Sequence, residues 1–173
     1  MKAITICQPY AHLIAIGQKF VENRSWPTKY RGPLLIHAGK SLRWTGGHSR
    51  KQLGAIYGEP LDFGAIVATA TLYACLRVED VQGGDLDGDP YPFLSTHSHV
   101  SGPWCWVLTD VERIEPVAMQ GHQGLFNVAW PPPQACRICG CTETQACPGG
   151  CWWVEPDLCS ACAEAEMPFD HPK

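Results

Sequence analysis

Between Glu22 and Lys40 the chain reads Glu22-Asn23-Arg24-Ser25-Trp26-Pro27-Thr28-Lys29-Tyr30-Arg31-Gly32-Pro33-Leu34-Leu35-Ile36-His37-Ala38-Gly39-Lys40. Two apolar strand signals flank a loop that carries Arg24, Lys29 and Arg31, the aromatics Trp26 and Tyr30, and a single nearby carboxylate, Glu22. The pairs Trp26-Pro27 and Gly32-Pro33 punctuate the loop, because the residue before a proline is pushed out of the helical region. Leu34 to Ala38 is a short apolar run, the mark of a core strand, and Gly39-Lys40 ends it with a cation at its mouth. The reading is a rigid, basic, aromatic-studded loop between two strands, and chemistry is expected there.

Upstream, Ile4 and Ile6 alternate against Thr5 and predict a strand over residues 3–7. Pro9 suits a first helical position and Gly17 the cap after it, which predicts a short helix between them that buries Leu13 and Ile14. Lys19 to Arg24 is the next strand, with Phe20, Glu22 and Arg24 on one face and Lys19, Val21 and Asn23 on the other. Downstream of the Leu34 to His37 strand, residues 40–57 suggest a loop and a weak helix. Phe63 to Leu76 is rich in β-branched residues and is expected to be a central strand. The acidic loop Gly83 to Pro90 lacks the glutamate that would close a calcium loop of the EF type. Trp104 to Glu115 is a further strand, with Trp104, Trp106 and Leu108 on one face, and Gly121 to Trp130 contributes Leu125, Phe126 and Val128. Pro131-Pro132-Pro133 is a stiff extended spacer, which puts a boundary between a domain of residues 1–130 and a tail of residues 131–173. Short strands and few helices without regular alternation predict an α+β class, a small mixed β-barrel with flanking helices.

The 173 residues are 45% hydrophobic and 17% charged, the make-up of an ordinary globular protein. No apolar run approaches the roughly 20 residues of a membrane span, and the N-terminal run is too short for a signal sequence, so a cytoplasmic protein is expected. The net charge of −4 is unevenly spread. Residues 1–51 hold nine Lys and Arg against the single acid Glu22, a net of +8, which leaves −12 for the remainder. Such asymmetry suggests a polyanion-binding face on an otherwise acidic molecule.

Ten cysteines in a reducing compartment point to metal rather than disulfides. Cys7, Cys75 and Cys105 are scattered in apolar surroundings and read as buried small hydrophobes, and the other seven crowd between Cys136 and Cys162. Cys136-Arg137-Ile138-Cys139 and Cys159-Ser160-Ala161-Cys162 are paired C-x-x-C knuckles at the separation of a four-cysteine zinc ribbon. Four thiolates close the shell, so the zinc is expected to be structural, and one ion is expected. Cys141, Cys147 and Cys151 are left as free thiols, as alternative ligands or, with His171, as part of a second site.

The order Gln8-Pro9, Gly17-Gln18-Lys19, Glu22-Asn23-Arg24-Ser25-Trp26, Tyr30-Arg31-Gly32 and Leu35-Ile36-His37-Ala38, with Gly64 to Val67 and Gly121 to Val128 behind it, resembles the ASCH family. That family belongs to the PUA-like superfamily of small β-barrels, and the resemblance covers about residues 1–130. It implies a barrel whose cleft, lined by Lys19 to Arg24 and Tyr30 to Lys40, faces a nucleotide. Some members resemble RNA-binding modules, one branch removes acyl groups from acetylcytidine, and a nuclease activity has been proposed for others. In the amidohydrolase branch the Gly-x-Lys motif supplies a catalytic lysine, which matches Lys19. Its partner threonine falls where this chain has Glu22, and Glu79 is the nearest candidate by position for its glutamate.

Lys19 and Glu22 are three apart, so a bulge or turn is needed to bring both into one cleft, either as an acid and base pair or as a solvated ion pair. Trp26 and Tyr30 beside Arg24, Lys29 and Arg31 form the mixture that single-stranded nucleic acid exploits, rings for bases and cations for phosphates, with His37 and Lys40 at the strand end. Trp26 is equally suited to a core. The expected function is RNA or modified-nucleotide binding by a basic, aromatic-lined cleft. Hydrolysis of an acylated cytosine by Lys19 and Glu22 is the first alternative, and a protein-interaction adaptor docking through the ribbon the second.

Overall fold

A computed structural model of the chain describes residues 1–83 and 94–166, so most of the acidic loop and His171 lie outside the described residues. The chain divides into two compact units, Met1–Val128 and Ala129–Lys173.

The first unit is built on one six-stranded mixed sheet, curled into a half-barrel, in the order β2-β5-β4-β3-β1-β6. The strands are β1 (Lys2–Ile6), β2 (Val21–Arg24), β3 (Gly32–Ala38), β4 (Ala65–Arg77), β5 (Trp104–Ala118) and β6 (Leu125–Asn127). β1 runs parallel to β3, with Ile4 opposite Ile36 and Thr5 opposite His37, and antiparallel to β6. The long β4 is interior as its composition predicts, and its pairing with β5 shifts register at three places. Such bulges sharpen twist and let so long a ribbon coil rather than lie flat.

Helix α1 (Tyr10–Ala15) packs into the half-barrel, burying Ala11, Leu13 and Ile14. The Gln8 side chain fixes its start, accepting from the His12 N–H at 3.0 Å and donating to the Asp62 carbonyl at 2.6 Å. Gly17 ends it at φ +74°, a left-handed turn that suits glycine. Ile4, Ile6, Ile14, Leu34, Ile36, Leu72, Trp106 and Leu108 then form one core. The first half of β5, Cys105 to Leu108, is buried on both faces, since Cys105 and Val107 join Val21, Val81, Leu94 and Val100 in a second cluster. That second cluster is roofed by α3 (Val78–Gly83) and a single 3₁₀ turn (Leu94–Thr96). Helix α2 (Arg50–Tyr57) is the weak helix expected after β3; Ser49 and Gln52 form a capping box at its start and Leu53 is its buried anchor.

The second unit has a two-stranded ribbon, β7 (Trp153–Glu155) and β8 (Leu158–Cys159), followed by α4 (Ser160–Glu166). Its buried core is Cys136, Cys141, Leu158, Cys159 and Cys162. No described helix is long and apolar enough to cross a membrane.

Candidate nucleic-acid cleft and metal centre

The parallel pairing of β1 and β3 carries their C-terminal ends to one place, where Thr5, His37, Gly39 and Lys40 meet the start of the β2–β3 loop. A cavity of about 1090 Å³ opens there, walled also by Arg24, Trp26, Arg43, Trp44 and the Gln120 to Gly124 segment. Three cations, Arg24, Lys40 and Arg43, line it and, among the described residues, no aspartate or glutamate does. A second cavity of about 490 Å³ shares Thr5, Arg24, Ser25, Trp26 and Trp44 with it and reaches Tyr10, Lys19, Glu22, Asn23, Ser98 and His99, so the two form one cleft.

Lys19 is placed by the turn after α1, where the Leu13 carbonyl accepts from the N–H groups of both Gln18 and Lys19. It therefore precedes β2 instead of belonging to it, and its ammonium, 2% exposed, donates to Glu22 Oε2 at 2.8 Å and to the Val21 carbonyl. This turn satisfies the three-residue spacing that an ideal strand forbids. Glu22 in turn pairs with Arg24 at 3.3 Å, and Arg24 Nη2 donates to the Thr5 carbonyl at 2.7 Å. The result is a Lys-Glu-Arg chain held across the smaller cavity.

Three buried polar atoms in the wall of the larger cavity have no partner among the described residues: Thr5 Oγ1, Arg24 Nε and His37 Nδ1. His37 donates from Nε2 to the Met119 carbonyl at 3.2 Å, which leaves Nδ1 as an acceptor. Burial is the main reason its pKa lies below the ordinary histidine value, so it is neutral near pH 7. Gly121 permits this approach, since a Cβ there would lie 2.5 Å from His37 Nδ1 and 2.6 Å from Thr5 Oγ1. Lys40 is set by a similar device, its stem lying across Gly64. Trp26 is half-buried, edge-on to the buried Trp106 with ring centroids 4.7 Å apart, and so serves core and cleft at once. Trp44 is 59% exposed and carries Arg43 at 5.8 Å from its ring.

In the second unit seven thiols converge. Cys136, Cys139, Cys141 and Cys159 form one group and Cys141, Cys147, Cys151 and Cys159 another, each with its sulfurs within 4.8 Å of one another. Either can hold a metal ion. Backbone N–H groups of Cys139, Cys159 and Ile138 lower the Cys136 pKa to about 5, favouring the thiolate that a metal takes. Cys162 is buried in the same core.

The ASCH domain family model matches residues 4–118. The chain belongs to the ASCH domain family. Solved structures similar to it include the ASCH protein of Zymomonas mobilis, at 15% identity and a TM-score of 0.45 over 75% of this chain and 87% of that one. Two single-substitution variants of that protein match at 16% identity and a TM-score of 0.44, over 75% of this chain and 90% and 88% of theirs. No curated protein sequence is significantly similar to the chain.

Within the ASCH domain, Lys19, Glu22, Arg24, Trp26, His37 and Lys40 meet in the cleft. Lys29, Tyr30 and Arg31 line neither cavity: Arg31 Nη1 donates to the Thr28 and Tyr30 carbonyls, the Tyr30 hydroxyl donates to the Pro33 carbonyl, and Lys29 is exposed. Sequence reasoning missed Thr5, Tyr10, His99 and Trp44, and counted Arg43 only as charge. The polar break Gln120-Gly121-His122-Gln123-Gly124 between two strands was the available signal for the far wall.

Proposed function

We propose that the ASCH cleft binds single-stranded RNA or a modified nucleotide, with phosphate against Arg24, Lys40 and Arg43 and a base against Trp26 and Trp44. The observation that carries this reading is the sign of the larger cavity: among the described residues it has three cations, no carboxylate, and buried polar atoms without a partner in its wall, on a chain whose net charge is −4. Buried polar groups are normally hydrogen-bonded, and those left over at a concave site are the groups a ligand satisfies. ASCH domains are generally associated with nucleic acid, which agrees. Asn23, Ser98 and His99, with the Lys19–Glu22 pair, supply donors and acceptors for a base edge in the smaller cavity. Tyr30 and Arg31 hold the loop that carries Trp26. Anisotropy of a labelled single-stranded RNA tests this; no binding in low salt at about 100 µM protein, where even non-specific binders associate, refutes it.

The buried Lys19–Glu22 contact favours a second reading, hydrolysis of an acylated cytosine nucleoside. A positioned acid or base supplies about 10² to 10⁴ of rate. Lys19→Ala and Glu22→Gln, assayed against acetylcytidine and related acyl cytosines with binding measured in parallel, separate the readings. Turnover by the wild type that both changes abolish while affinity persists establishes the enzyme; binding without turnover establishes the reader.

In the tail, the soft all-thiolate donor set fits zinc in a structural role, with Cys136, Cys139, Cys159 and Cys162 as the paired knuckles.

A further inference from the structure

Three cysteines fall outside the paired knuckles, and the fold does not leave them idle. Cys147-Pro148-Gly149-Gly150-Cys151 closes as a tight turn, with the Gly150 N–H bonded to the Cys147 carbonyl at 2.8 Å and both glycines at φ +87°. The turn folds the two thiols together, and the Cys147 N–H donates to Cys151 Sγ at 3.4 Å, just as the Cys159 N–H donates to Cys136 Sγ at 3.5 Å. Backbone N–H groups aimed at sulfur stabilise thiolate, and here they serve a residue of each half of the cluster.

The sulfur separations are those of metal tetrahedra. Four thiolates at about 2.3 Å from zinc stand about 3.8 Å apart. The observed separations are 3.7 Å for Cys139 and Cys159, 3.7 Å for Cys141 and Cys151, and 3.9 Å for Cys147 and Cys159, with Cys139 and Cys147 at 3.6 Å where the two halves of the cluster meet. All ten cysteines are free, and these distances are far beyond the roughly 2.05 Å of a disulfide. Two thiols, Cys141 and Cys159, belong to both four-thiolate groups; Cys159, 1% exposed, is the one that stands at 3.7 Å from Cys139 and 3.9 Å from Cys147, and so lies between the two knuckle sets.

Two tetrahedral ions need eight metal–sulfur bonds, and seven thiolates supply eight when one of them bridges. We propose that the tail holds two zinc ions, one bound by Cys136, Cys139 and Cys162, the other by Cys141, Cys147 and Cys151, with the Cys159 thiolate shared between them. This rests on the zinc reading above and extends it from one ion to a binuclear centre. Every one of the seven thiols then has a metal, and the lone apolar residue of the unit's buried core, Leu158, packs beside a cluster of two ions rather than one.

The test is metal stoichiometry on the full chain purified under reducing conditions, by native mass spectrometry and elemental analysis. Two zinc per chain is expected, and Cys147→Ser with Cys151→Ser should retain one. A single zinc in the wild type overturns the binuclear centre and leaves the structural zinc standing; no zinc, or an iron–sulfur chromophore, overturns both. Since the double variant can fail to fold, the bridge is tested on the wild type exchanged with ¹¹³Cd. Two resonances coupled through the shared sulfur are expected, and two uncoupled resonances refute the bridging role of Cys159.

Discussion

Salt is the sharpest probe of the cleft, because its larger cavity is lined by three cations and, among the described residues, by no carboxylate, although Arg24 is paired with Glu22. If Arg24, Lys40 and Arg43 each neutralise one phosphate of a single strand, each contributes about −0.7 to the slope of log affinity against log salt, or about −2 together. Raising salt from about 50 to about 200 mM should then weaken binding roughly 18-fold. Replacing Lys40 and Arg43 by alanine leaves Arg24 alone, and the same change of salt should cost roughly threefold. Arg31→Ala is the control: its guanidinium is bound to the Thr28 and Tyr30 carbonyls outside both cavities, so the slope should not move. Fluorescence anisotropy with a short single-stranded RNA reads all three proteins. A wild-type slope near zero, or one that the double variant leaves unchanged, refutes the assignment of phosphates to this cavity. Flattening by Arg31→Ala as large as by the Lys40 and Arg43 replacement would move the phosphate path to the outer loop.

Gly121→Ala should cost about 1–3 kcal/mol in thermal or denaturant unfolding and impair binding, because the new methyl meets His37 and Thr5; an unaltered protein would show that this wall yields easily. Burial is the leading cause of lowered pKa values at His12, His37, His97 and His99, so each binds its proton more readily unfolded than folded. Stability should therefore be full above about pH 6.5 and fall as pH drops through the folded values, with His37→Gln removing part of the fall; a melting temperature that rises on acidification contradicts this. Chelation under reducing conditions should unfold the tail, whose core is four cysteines and Leu158, and leave the amide spectrum of residues 1–128 unchanged; a tail that stays folded without metal refutes the structural role.

The sheet was readable where a local pattern carries it. β4 is interior as its β-branched run predicts, and α1 falls between Pro9 and Gly17. β5 was read as presenting one face, Trp104, Trp106 and Leu108, and Cys105 was read as a buried small hydrophobe, as it is; Val107, on the same side as Cys105, is buried as well and was not foreseen. Trp104 to Leu108 is an unbroken apolar run, the mark of a strand covered on both sides, and the alternation of tryptophans hid it. In the cleft, the Lys19–Glu22 contact depends on the Leu13 carbonyl capturing two successive N–H groups, an event of chain geometry that residue spacing does not record. The far wall is set by tertiary pairing, which brings Gln120 to Gly124 beside Thr5. For the cysteines, spacing marked the knuckles, but only the folded turn at Gly149-Gly150 shows that Cys147 and Cys151 point the same way.

The strand order has a consequence for how the chain reaches this state. β1 is flanked on one side by β3 and on the other by β6, so Lys2 to Ile4 keep an unpaired edge until residues 125–127 arrive. β2 waits in the same way for Trp104 to Val107. A nascent chain released from the ribosome piece by piece therefore holds the β1, β3 and β4 part of the sheet with open edges while most of the domain is still being made. Contacts of such sequence separation close slowly, and open apolar edges invite pairing with other chains in the interval. Synthesis that stalls ahead of residue 125 should leave a product that aggregates, though every residue of the cleft's near wall is already present.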